Sequence, residues 1–480
     1  MRCRVSGAII IMANILTADA EGVLVNDVHS QLNPTRVARI AAPRTLAELQ
    51  AAVRQARANG WGVSVAGGRH AMGGQQFAAD AVLIDMSRLN RVLHFAPERG
   101  LIEVEAGIEW PELIAYTVAS GAGWGIAQKQ TGADRLSLGG SLAANIHGRG
   151  LTMKPIIDDV EAFVIVDANG DALRCSRSEN AELFRLAIGG YGLFGVIFSV
   201  TLRLVPRRQV QRVARLANSE NLAELFAERI ADGFLYGDFQ FAIAPESDDF
   251  LRRGIFSCYQ PAPPSTPLAG ASRELSADDW RALLALAHTD KQKAFDGYTS
   301  HYLATDGQIY WSDTHQLSVY LDDYHAALDR QMDAPTRRSE MISELYVPRA
   351  ALSAFLEAAR ADFRQYRVPL IYGTVRLIER DAESFLAWAR EDFACVVLNL
   401  CVAHDAAGLA RAAADFRRLI DRALSFGGSY YLTYHRWASR EQLLAAYPQF
   451  PEFLRLKRQY DPTGLWQSDW YRHQSALFAA

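Results

Sequence analysis

The stretch Val65-Ala66-Gly67-Gly68-Arg69-His70-Ala71-Met72-Gly73-Gly74-Gln75 decides the fold prediction, and it follows a short predicted strand. Glycines allow positive φ and let backbone N–H groups approach a phosphate without a Cβ in the way. The stretch has neither the GxGxxG spacing of a Rossmann helix start nor the GK[ST] ending of a Walker A loop. It predicts a pyrophosphate cradle of another kind or, alternatively, a plain turn between two strands. His70 stands just after the cradle, where its imidazole could reach a bound cofactor.

The segments around this loop alternate between helical and strand-like patterns as far as Pro206. Thr45-Leu46-Ala47-Glu48 has the pattern of a capping box that opens a helix. Leu101 to Ala106 alternates with period two, as expected for a strand. The composition changes after Pro206, where strands and amphipathic helices are mixed, so a second domain is predicted to begin there.

Length and composition narrow the class of protein. A chain of 480 residues suggests two or three domains, and 50% hydrophobic with 22% charged residues indicates ample burial. A net charge of −4 gives no indication of a nucleic-acid or anionic-membrane partner. The five cysteines form no CxxC pair and the histidines form no HExxH motif, so neither a disulfide framework nor a metal site is predicted.

The N-terminal segment allows two interpretations. Arg2 and Arg4 precede a short apolar run, and Ala18-Asp19-Ala20 resembles a signal-peptide cleavage site. Met12 could instead be the true start, which would remove the signal. We expect a cytoplasmic protein, with export as the alternative. No run of about 18 apolar residues occurs, so no transmembrane helix is predicted.

Further blocks accompany the glycine loop before Pro206. They are Val82-Leu83-Ile84-Asp85-Met86-Ser87, Ile102-Glu103-Val104-Glu105-Ala106-Gly107, Leu138-Gly139-Gly140-Ser141-Leu142-Ala143-Ala144-Asn145-Ile146-His147-Gly148, and Glu182-Leu183-Phe184 with Gly189-Gly190-Tyr191-Gly192-Leu193-Phe194-Gly195-Val196-Ile197. In this order and spacing they resemble the FAD-binding domain of the vanillyl-alcohol-oxidase superfamily, also called the PCMH-type FAD-binding fold. Its members include cytokinin dehydrogenases, alditol oxidases and sugar-lactone oxidases.

The resemblance implies bound FAD and assigns residues to it. Residues 66–71 would hold the pyrophosphate through backbone amides, and Ile197 would contact the adenine end. In many members a histidine at the position of His70 is bonded to the 8α-methyl group of the flavin, so covalent FAD is expected here. Ala71 departs from the commonest pattern, which has serine, and residues 133–137 contain no cysteine that could form a second anchor. The residues expected to bind the cofactor are Ala66, Gly67, Gly68, Arg69, His70, Ala71, Gln75, Ser137, Gly140, Ser141, Asn145, Ile146 and Ile197.

The end of the chain carries a second group of family-like features. The stretch from Gly427 to Trp437 and the later Asp461-Pro462-Thr463-Gly464-Leu465-Trp466 resemble the closing segment of alditol and decaprenylphosphoryl-ribose oxidases. In the latter enzymes a lysine occupies the place of Tyr434, so that role does not carry over. His435 is the expected catalytic base, because imidazole titrates near neutral pH.

Two other residues complete the predicted catalytic group. Tyr434 would orient or polarise the substrate hydroxyl. Arg376, in a stretch that resembles an alditol oxidase strand, would bind a polar substrate or stabilise negative charge on the reduced flavin. Two plainer interpretations stay open, namely that the tail only packs aromatic side chains under the flavin and that Arg376 is an exposed residue at a strand edge. His147 is expected to make either a structural hydrogen bond or a substrate contact.

The predicted fold is α+β, with a two-part PCMH-type FAD-binding domain and an α+β substrate domain built on an antiparallel sheet. The predicted divisions are an extension over residues 1–32, the FAD domain over 33–206, the substrate domain over 207–428, and a tail over 429–480 that returns to the flavin domain.

The predicted activity is hydride transfer from a CH–OH group of a polyol, sugar or related alcohol to flavin N5, with reoxidation by oxygen or another acceptor. The alternatives are CH–NH oxidation of an amine and a redox-inactive binding protein with the same fold. The expected partners are thus a small-molecule substrate and an electron acceptor, with no nucleic acid and no membrane span.

Overall fold

The structure is a computed structural model, and it describes residues 16–17, 22–129, 135–263, 265–268, 273–315, 321 and 324–479. Most of the signal-like N-terminal segment lies outside these residues. Helices and strands are both well represented, in agreement with an α+β class. The helices are Leu46–Ala58, Trp110–Ala119, Leu138–Ala144, Ala181–Ala187, Leu222–Ala231, Ala277–Thr289, Lys291–Ala304, Tyr324–Gln331, Leu352–Tyr366, Ala406–Ser425, Arg440–Ala446, Phe450–Tyr460 and Asp469–Ala476.

A small sheet near the start of the chain supports the glycine loop. Its strand order is Leu16–Thr17, Arg39–Ala41, Val82–Asp85 and Val63–Ala66, and the last three strands are parallel. The parallel pairing of Arg39–Ala41 and Val63–Ala66 with the strand between them requires a crossover, which helix Leu46–Ala58 provides. Thr45 caps this helix by accepting a hydrogen bond from the Glu48 amide at 3.2 Å.

An antiparallel sheet follows, in the order Ala172–Ser176, Val160–Val166, Val196–Arg203, Leu101–Glu105 and Val92–Ala96. Gly170, at φ +79°, makes the tight turn between the first two of these strands possible. Two short pairs, Val23–Val25 with Thr35–Val37 and Trp124–Gly125 with Val205–Pro206, complete this part of the chain.

The second half of the chain builds a large antiparallel sheet. In the part of the chain that the structure describes, its strand order is Ile309–Trp311, Gln209–Asn218, Arg253–Ala262, Tyr236–Phe241, Leu370–Ile378, Phe393–Ala403, Arg338–Pro348 and Ser429–Tyr430. Helices Leu352–Tyr366 and Ala406–Ser425 pack against its strands. The predicted boundary at residue 206 falls just before the first of these strands in the sequence.

The end of the chain returns to the small parallel sheet. The Val63 amide donates to the Leu465 carbonyl at 2.7 Å, and the Gln467 amide donates to the Val63 carbonyl at 2.8 Å. Asp469 accepts hydrogen bonds from the Thr35 hydroxyl at 3.0 Å and the Ala79 amide at 3.1 Å. The tail therefore fixes the strand that leads into the glycine loop.

No helix among the described residues is both long enough and apolar enough to cross a membrane.

Candidate functional site

A large cavity lies between the glycine-rich elements and one face of the large sheet. On the first side it is lined by Gly67, Gly68, Arg69, His70, Ala71, Met72, Gln75, Ser137, Gly140, Ser141, Ile146, His147, Tyr191 and Ile197, among others. On the second side it is lined by Trp280, Tyr298, Tyr324, His325, Glu340, Ile342, Tyr372, Arg376, Val397, Asn399, Tyr431, Thr433 and Tyr434. Residues far apart in the sequence thus share one space.

The glycine loop and the start of helix Leu138–Ala144 face each other at very short range. A Cβ on Gly67 would lie 1.9 Å from the Ser137 hydroxyl oxygen, and one on Gly68 would lie 2.4 Å from the Arg135 carbonyl oxygen. Arg69 follows in the left-handed region at φ +57°. Only glycine therefore fits at these two positions, and both of them line the cavity without a Cβ, as a pyrophosphate cradle requires.

The opposite wall offers hydrogen-bonding capacity that the protein does not use. Ser137 caps the helix by accepting from the Gly140 amide at 3.3 Å. The Ser141 hydroxyl is buried in the cavity wall and has no hydrogen-bond partner among the described residues. A buried polar group of this kind is expected to meet a ligand or water. The loop and this wall together fit FAD.

Two of the predicted cofactor residues lie behind the cavity wall rather than on it. Ala66 is the last residue of its strand and does not line the cavity. Asn145 ends helix Leu138–Ala144 in the left-handed conformation at φ 50°, and its side-chain amide donates to Asp381 at 2.9 Å. It also accepts from the Ile157 amide at 3.2 Å. Asn145 is therefore placed to position its neighbours Ile146 and His147, which do line the cavity.

His70 lines the cavity at the end of the glycine loop. Its ring lies 4.8 Å from the ring of His29, edge to face. The residue therefore borders the space in which a cofactor would lie.

The large sheet contributes a buried polar group centred on Glu344. Its carboxylate is 2.5 Å from His147 Nε2, and it accepts hydrogen bonds from the Tyr346 hydroxyl at 2.7 Å and the Cys395 thiol at 3.1 Å. Burial opposes ionisation of Glu344, but its contact with His147 and these hydrogen bonds outweigh burial and lower the pKa of Glu344 to about 2. Glu344 is thus an ionised carboxylate held just beneath the cavity wall.

Tyr434 and Arg376 lie next to this carboxylate and line the cavity. Burial and the charge of Glu344 raise the pKa of Tyr434 well above its usual value, so the phenol stays protonated. Arg376 is buried in the strand Leu370–Ile378, opposite Cys395. The alternative interpretation, in which Arg376 is an exposed residue at a strand edge, is therefore wrong.

His435 does not lie where a catalytic base is needed. Its ring packs against Phe416 at 4.5 Å and Trp437 at 5.8 Å between ring centroids, and it does not line the cavity. Burial lowers the pKa of His435 to about 3. We therefore correct the prediction that His435 is the base, because the turn that follows strand Ser429–Tyr430 places Tyr434 at the cavity and His435 in the core.

Sequence reasoning missed Glu344, Tyr346 and Cys395. His147, Glu344 and Cys395 offer ligand atoms within 4.8 Å of one another, a set that could hold a metal ion. In this structure the same atoms satisfy one another through hydrogen bonds. No short sequence motif indicates this group, because Glu344 is 197 positions from His147.

Comparison with known proteins agrees with this geometry. Residues 37–176 match the family model described as "FAD binding domain". L-gulonolactone oxidase of Bos taurus is 33% identical over 170 residues, which cover 35% of this chain and 38% of the relative. Cytokinin dehydrogenase 5 of Oryza sativa subsp. japonica is 33% identical over 200 residues, covering 39% and 37% respectively.

A longer but weaker similarity extends over both halves of the chain. L-gulono-1,4-lactone dehydrogenase of Mycobacterium tuberculosis (strain CDC 1551 / Oshkosh) is 24% identical over 442 residues, which cover 90% of this chain and 95% of the relative. The two shorter matches span well under half the length of those relatives.

The fold, the cradle and these matches define a flavoprotein with an FAD-binding domain of the PCMH type. With homologues among gulonolactone oxidases and dehydrogenases and cytokinin dehydrogenases, the chain fits the vanillyl-alcohol-oxidase superfamily.

Proposed function

We propose that this protein is an FAD-dependent oxidoreductase that oxidises a CH–OH group of a polyol, sugar or related alcohol. Bound FAD would supply the hydride acceptor, flavin N5, and would be reoxidised by oxygen or another acceptor. The observation that carries the proposal is that Tyr434 and Arg376 line the same cavity as the glycine cradle, with the Glu344 carboxylate behind them. The similarity over 90% of the chain to a relative named as a lactone dehydrogenase supports the same chemistry.

Tyr434, Glu344 and Arg376 would account for the hydroxyl proton and for the negative charge that develops on the substrate oxygen. As the carbinol carbon loses its hydride, the hydroxyl proton passes to the Tyr434 oxygen while the Tyr434 proton moves toward the Glu344 and His147 pair. A C=O bond forms on the substrate. Arg376 holds the substrate oxygen and stabilises the negative charge that develops on it.

Attachment of the cofactor belongs to the same proposal. Gly67 and Gly68 would face the pyrophosphate, and Ser141 would offer its buried hydroxyl to the cofactor. His70 would bond to the 8α-methyl group of the flavin, as in many members of the superfamily. Such a bond anchors the cofactor and withdraws electron density, which makes the flavin a stronger oxidant.

The second candidate function is oxidation of a CH–NH group. Its support is the similarity to a relative named as a cytokinin dehydrogenase. That match covers 39% of this chain. The two functions differ in the donor that reduces the flavin.

Anaerobic bleaching of the purified holoenzyme separates the two functions. We expect alditols, sugars or sugar lactones to bleach the flavin absorbance and secondary amines to leave it unchanged. Bleaching by amines alone would contradict the proposal and favour the second candidate.

Variants at the cavity test the assigned roles with the donor that bleaches best. Tyr434→Phe is expected to slow flavin reduction about 100-fold or more, the usual contribution of a general acid–base group. Arg376→Met is expected to lose about 100-fold or more through the missing charge stabilisation. Tyr116→Phe, at an exposed tyrosine, is the control. Reduction rates equal to that of the control would refute the roles of Tyr434 and Arg376.

A further inference from the structure

A second polar group lines the cavity at a distance from Tyr434 and Arg376. It is centred on Glu340 and Asn399, which lie on neighbouring strands of the large sheet. Glu340 is 6% exposed, and its carboxylate is 3.0 Å from His288 Nε2. The Asn399 side-chain amide donates to the other carboxylate oxygen. Nothing in the proposed proton route uses this pair.

The contact with Glu340 fixes which way the Asn399 amide points. An ionised carboxylate only accepts hydrogen bonds, so the NH₂ group of Asn399 must face it. Burial opposes ionisation of Glu340, but its hydrogen bond with His288 helps to outweigh burial and lowers the pKa of Glu340, which keeps it ionised. The Asn399 carbonyl oxygen is then directed away from Glu340. It is buried and has no hydrogen-bond partner among the described residues.

The two polar groups are far apart along one face of the sheet. Glu340 and Glu344 are four residues apart on the strand Arg338–Pro348, a separation of about 13 Å at the rise of an extended strand. An extended six-carbon chain spans only about 6 Å by ordinary bond geometry. Apolar and aromatic side chains line the cavity as well, among them Ile342, Val397, Tyr298 and Trp280.

We propose that Glu340 and Asn399 form a specificity site for a hydrogen-bond donor, a hydroxyl or amino group, on the end of the substrate remote from the oxidised carbon. The proposal rests on the proposed function, because that function places the oxidised carbon at Tyr434 and Arg376. Within the proposed class, the site would favour a polyol, sugar or related alcohol that carries an apolar or aromatic extension with a hydrogen-bond donor at its far end.

Paired probes that differ in one substituent test the site in the full-length holoenzyme. The parent compounds are 2-phenylethanol and phenyl β-D-glucopyranoside, and each is used with a para-amino or a para-methoxy group. The amino group donates hydrogen bonds, whereas the methoxy group only accepts them. Kd is measured from the change in the flavin absorption spectrum, and bleaching is recorded separately. We expect the amino probe of at least one framework to bind about tenfold tighter than its methoxy partner, because the buried acceptor is left unpaired by the latter.

Substitution of Glu340 should reverse the preference between the two probes, which is a more specific outcome than weaker binding. In Glu340→Gln the new NH₂ group faces Asn399, so the Asn399 amide turns over and presents its own NH₂ to the cavity. The preference should then reverse in favour of the methoxy probe. Asn399→Leu should abolish the preference in either direction, and Asn90→Ala, remote from the cavity, should leave it intact.

The outcomes separate this inference from the proposed function. Binding with the expected preference but without bleaching supports the site and contradicts CH–OH oxidation of these probes. Equal Kd values, no binding of any probe, or an unchanged preference in both cavity variants overturns the specificity site. Thermal melts and flavin content verify that each variant is folded and loaded.

Discussion

At the scale of single residues, His70 carries the most specific chemical expectation. It lines the cavity at the end of the loop whose two glycines approach Ser137 and Arg135 too closely for any side chain. An imidazole so placed can bond to a flavin whose pyrophosphate lies in the loop.

Acid precipitation of the purified protein measures the bond directly. We expect yellow colour to stay in the washed pellet of the wild-type protein, and we expect His70→Ala to release all flavin into the supernatant. His29→Ala is the matched control, because the His29 ring lies beside the His70 ring but no covalent bond to the flavin is proposed for it. Colour retained in the His70→Ala pellet would show that the attachment lies elsewhere, and colourless wild-type pellet would show that FAD is not covalent.

His435 supports a prediction about pH and stability instead of catalysis. Burial lowers its folded-state pKa to about 3, whereas an unfolded chain binds this proton near pH 6.5. Between these values the unfolded state binds more protons, so the free energy of unfolding falls on acidification by about 1.4 kcal/mol per pH unit for this residue.

In His435→Phe the free energy of unfolding should depend less steeply on pH, by the contribution of one proton, because phenylalanine packs on Phe416 without titrating. Urea unfolding between pH 4 and pH 6.5, the range in which this residue contributes, gives the measurement, with His94→Gln at an exposed site as control. The His435→Phe variant should still show substrate-dependent bleaching. A complete loss of flavin reduction in a folded, flavin-loaded variant would restore His435 as the base.

At the scale of elements, the glycine loop packs directly against the N-terminus of helix Leu138–Ala144, which Ser137 caps. In Gly67→Ala the new methyl group would lie 1.9 Å from the Ser137 hydroxyl oxygen, and overpacking of this kind costs about 1–3 kcal/mol. FAD binding should weaken by about tenfold or more as the cradle opens. Absorbance ratios give the FAD content of the purified protein.

A second substitution tests the cause of that loss. Ser137→Gly removes the atoms that the new methyl group would meet, so the double variant should recover part of the FAD content lost in Gly67→Ala. Gly297→Ala is the control, since its Cβ would meet only the tip of Leu283. Full FAD content in Gly67→Ala would contradict the assignment of the cradle.

Elements with local signals could be predicted from the sequence. The cap at Thr45 predicts helix Leu46–Ala58, and the alternation from Leu101 predicts the strand Leu101–Glu105. Glu344 could not be found in this way, because its partner His147 comes from the loop after helix Leu138–Ala144 and its strand is largely buried along its length. The sequence shows Glu340 and Glu344 as two acidic residues four positions apart in one strand, but this spacing does not identify His147 as a partner.

The choice between Tyr434 and His435 also lay beyond sequence reasoning. The two residues are adjacent in a segment whose side chains point in opposite directions, and only the surrounding fold decides which of them faces the cavity. Titration behaviour in water favours imidazole, but burial removes that advantage by lowering the pKa of His435.

At the scale of the whole molecule, the tail connects the end of the chain to the strand that leads into the glycine loop. Asp461 organises this connection, since its carboxylate accepts from the Leu465 amide at 2.9 Å and the Trp466 amide at 2.8 Å. It also pairs with Lys457 at 2.7 Å, and both side chains are almost fully buried. Leu465 and Gln467 then hydrogen-bond to Val63.

Asp461→Ala should therefore destabilise both ends of the chain together. The substitution leaves the Lys457 ammonium buried without its partner, which costs about 3–5 kcal/mol in free energy of unfolding. Glu452→Ala breaks the exposed pair with Arg455 on the same helix and should cost less than about 1 kcal/mol. Denaturant unfolding measures both variants, and FAD content reports whether the glycine loop has lost its support. If Asp461→Ala lost no more FAD than Glu452→Ala, the flavin site would not depend on the returning tail. If it also lost no more free energy of unfolding, the role of Asp461 in the tail would be refuted.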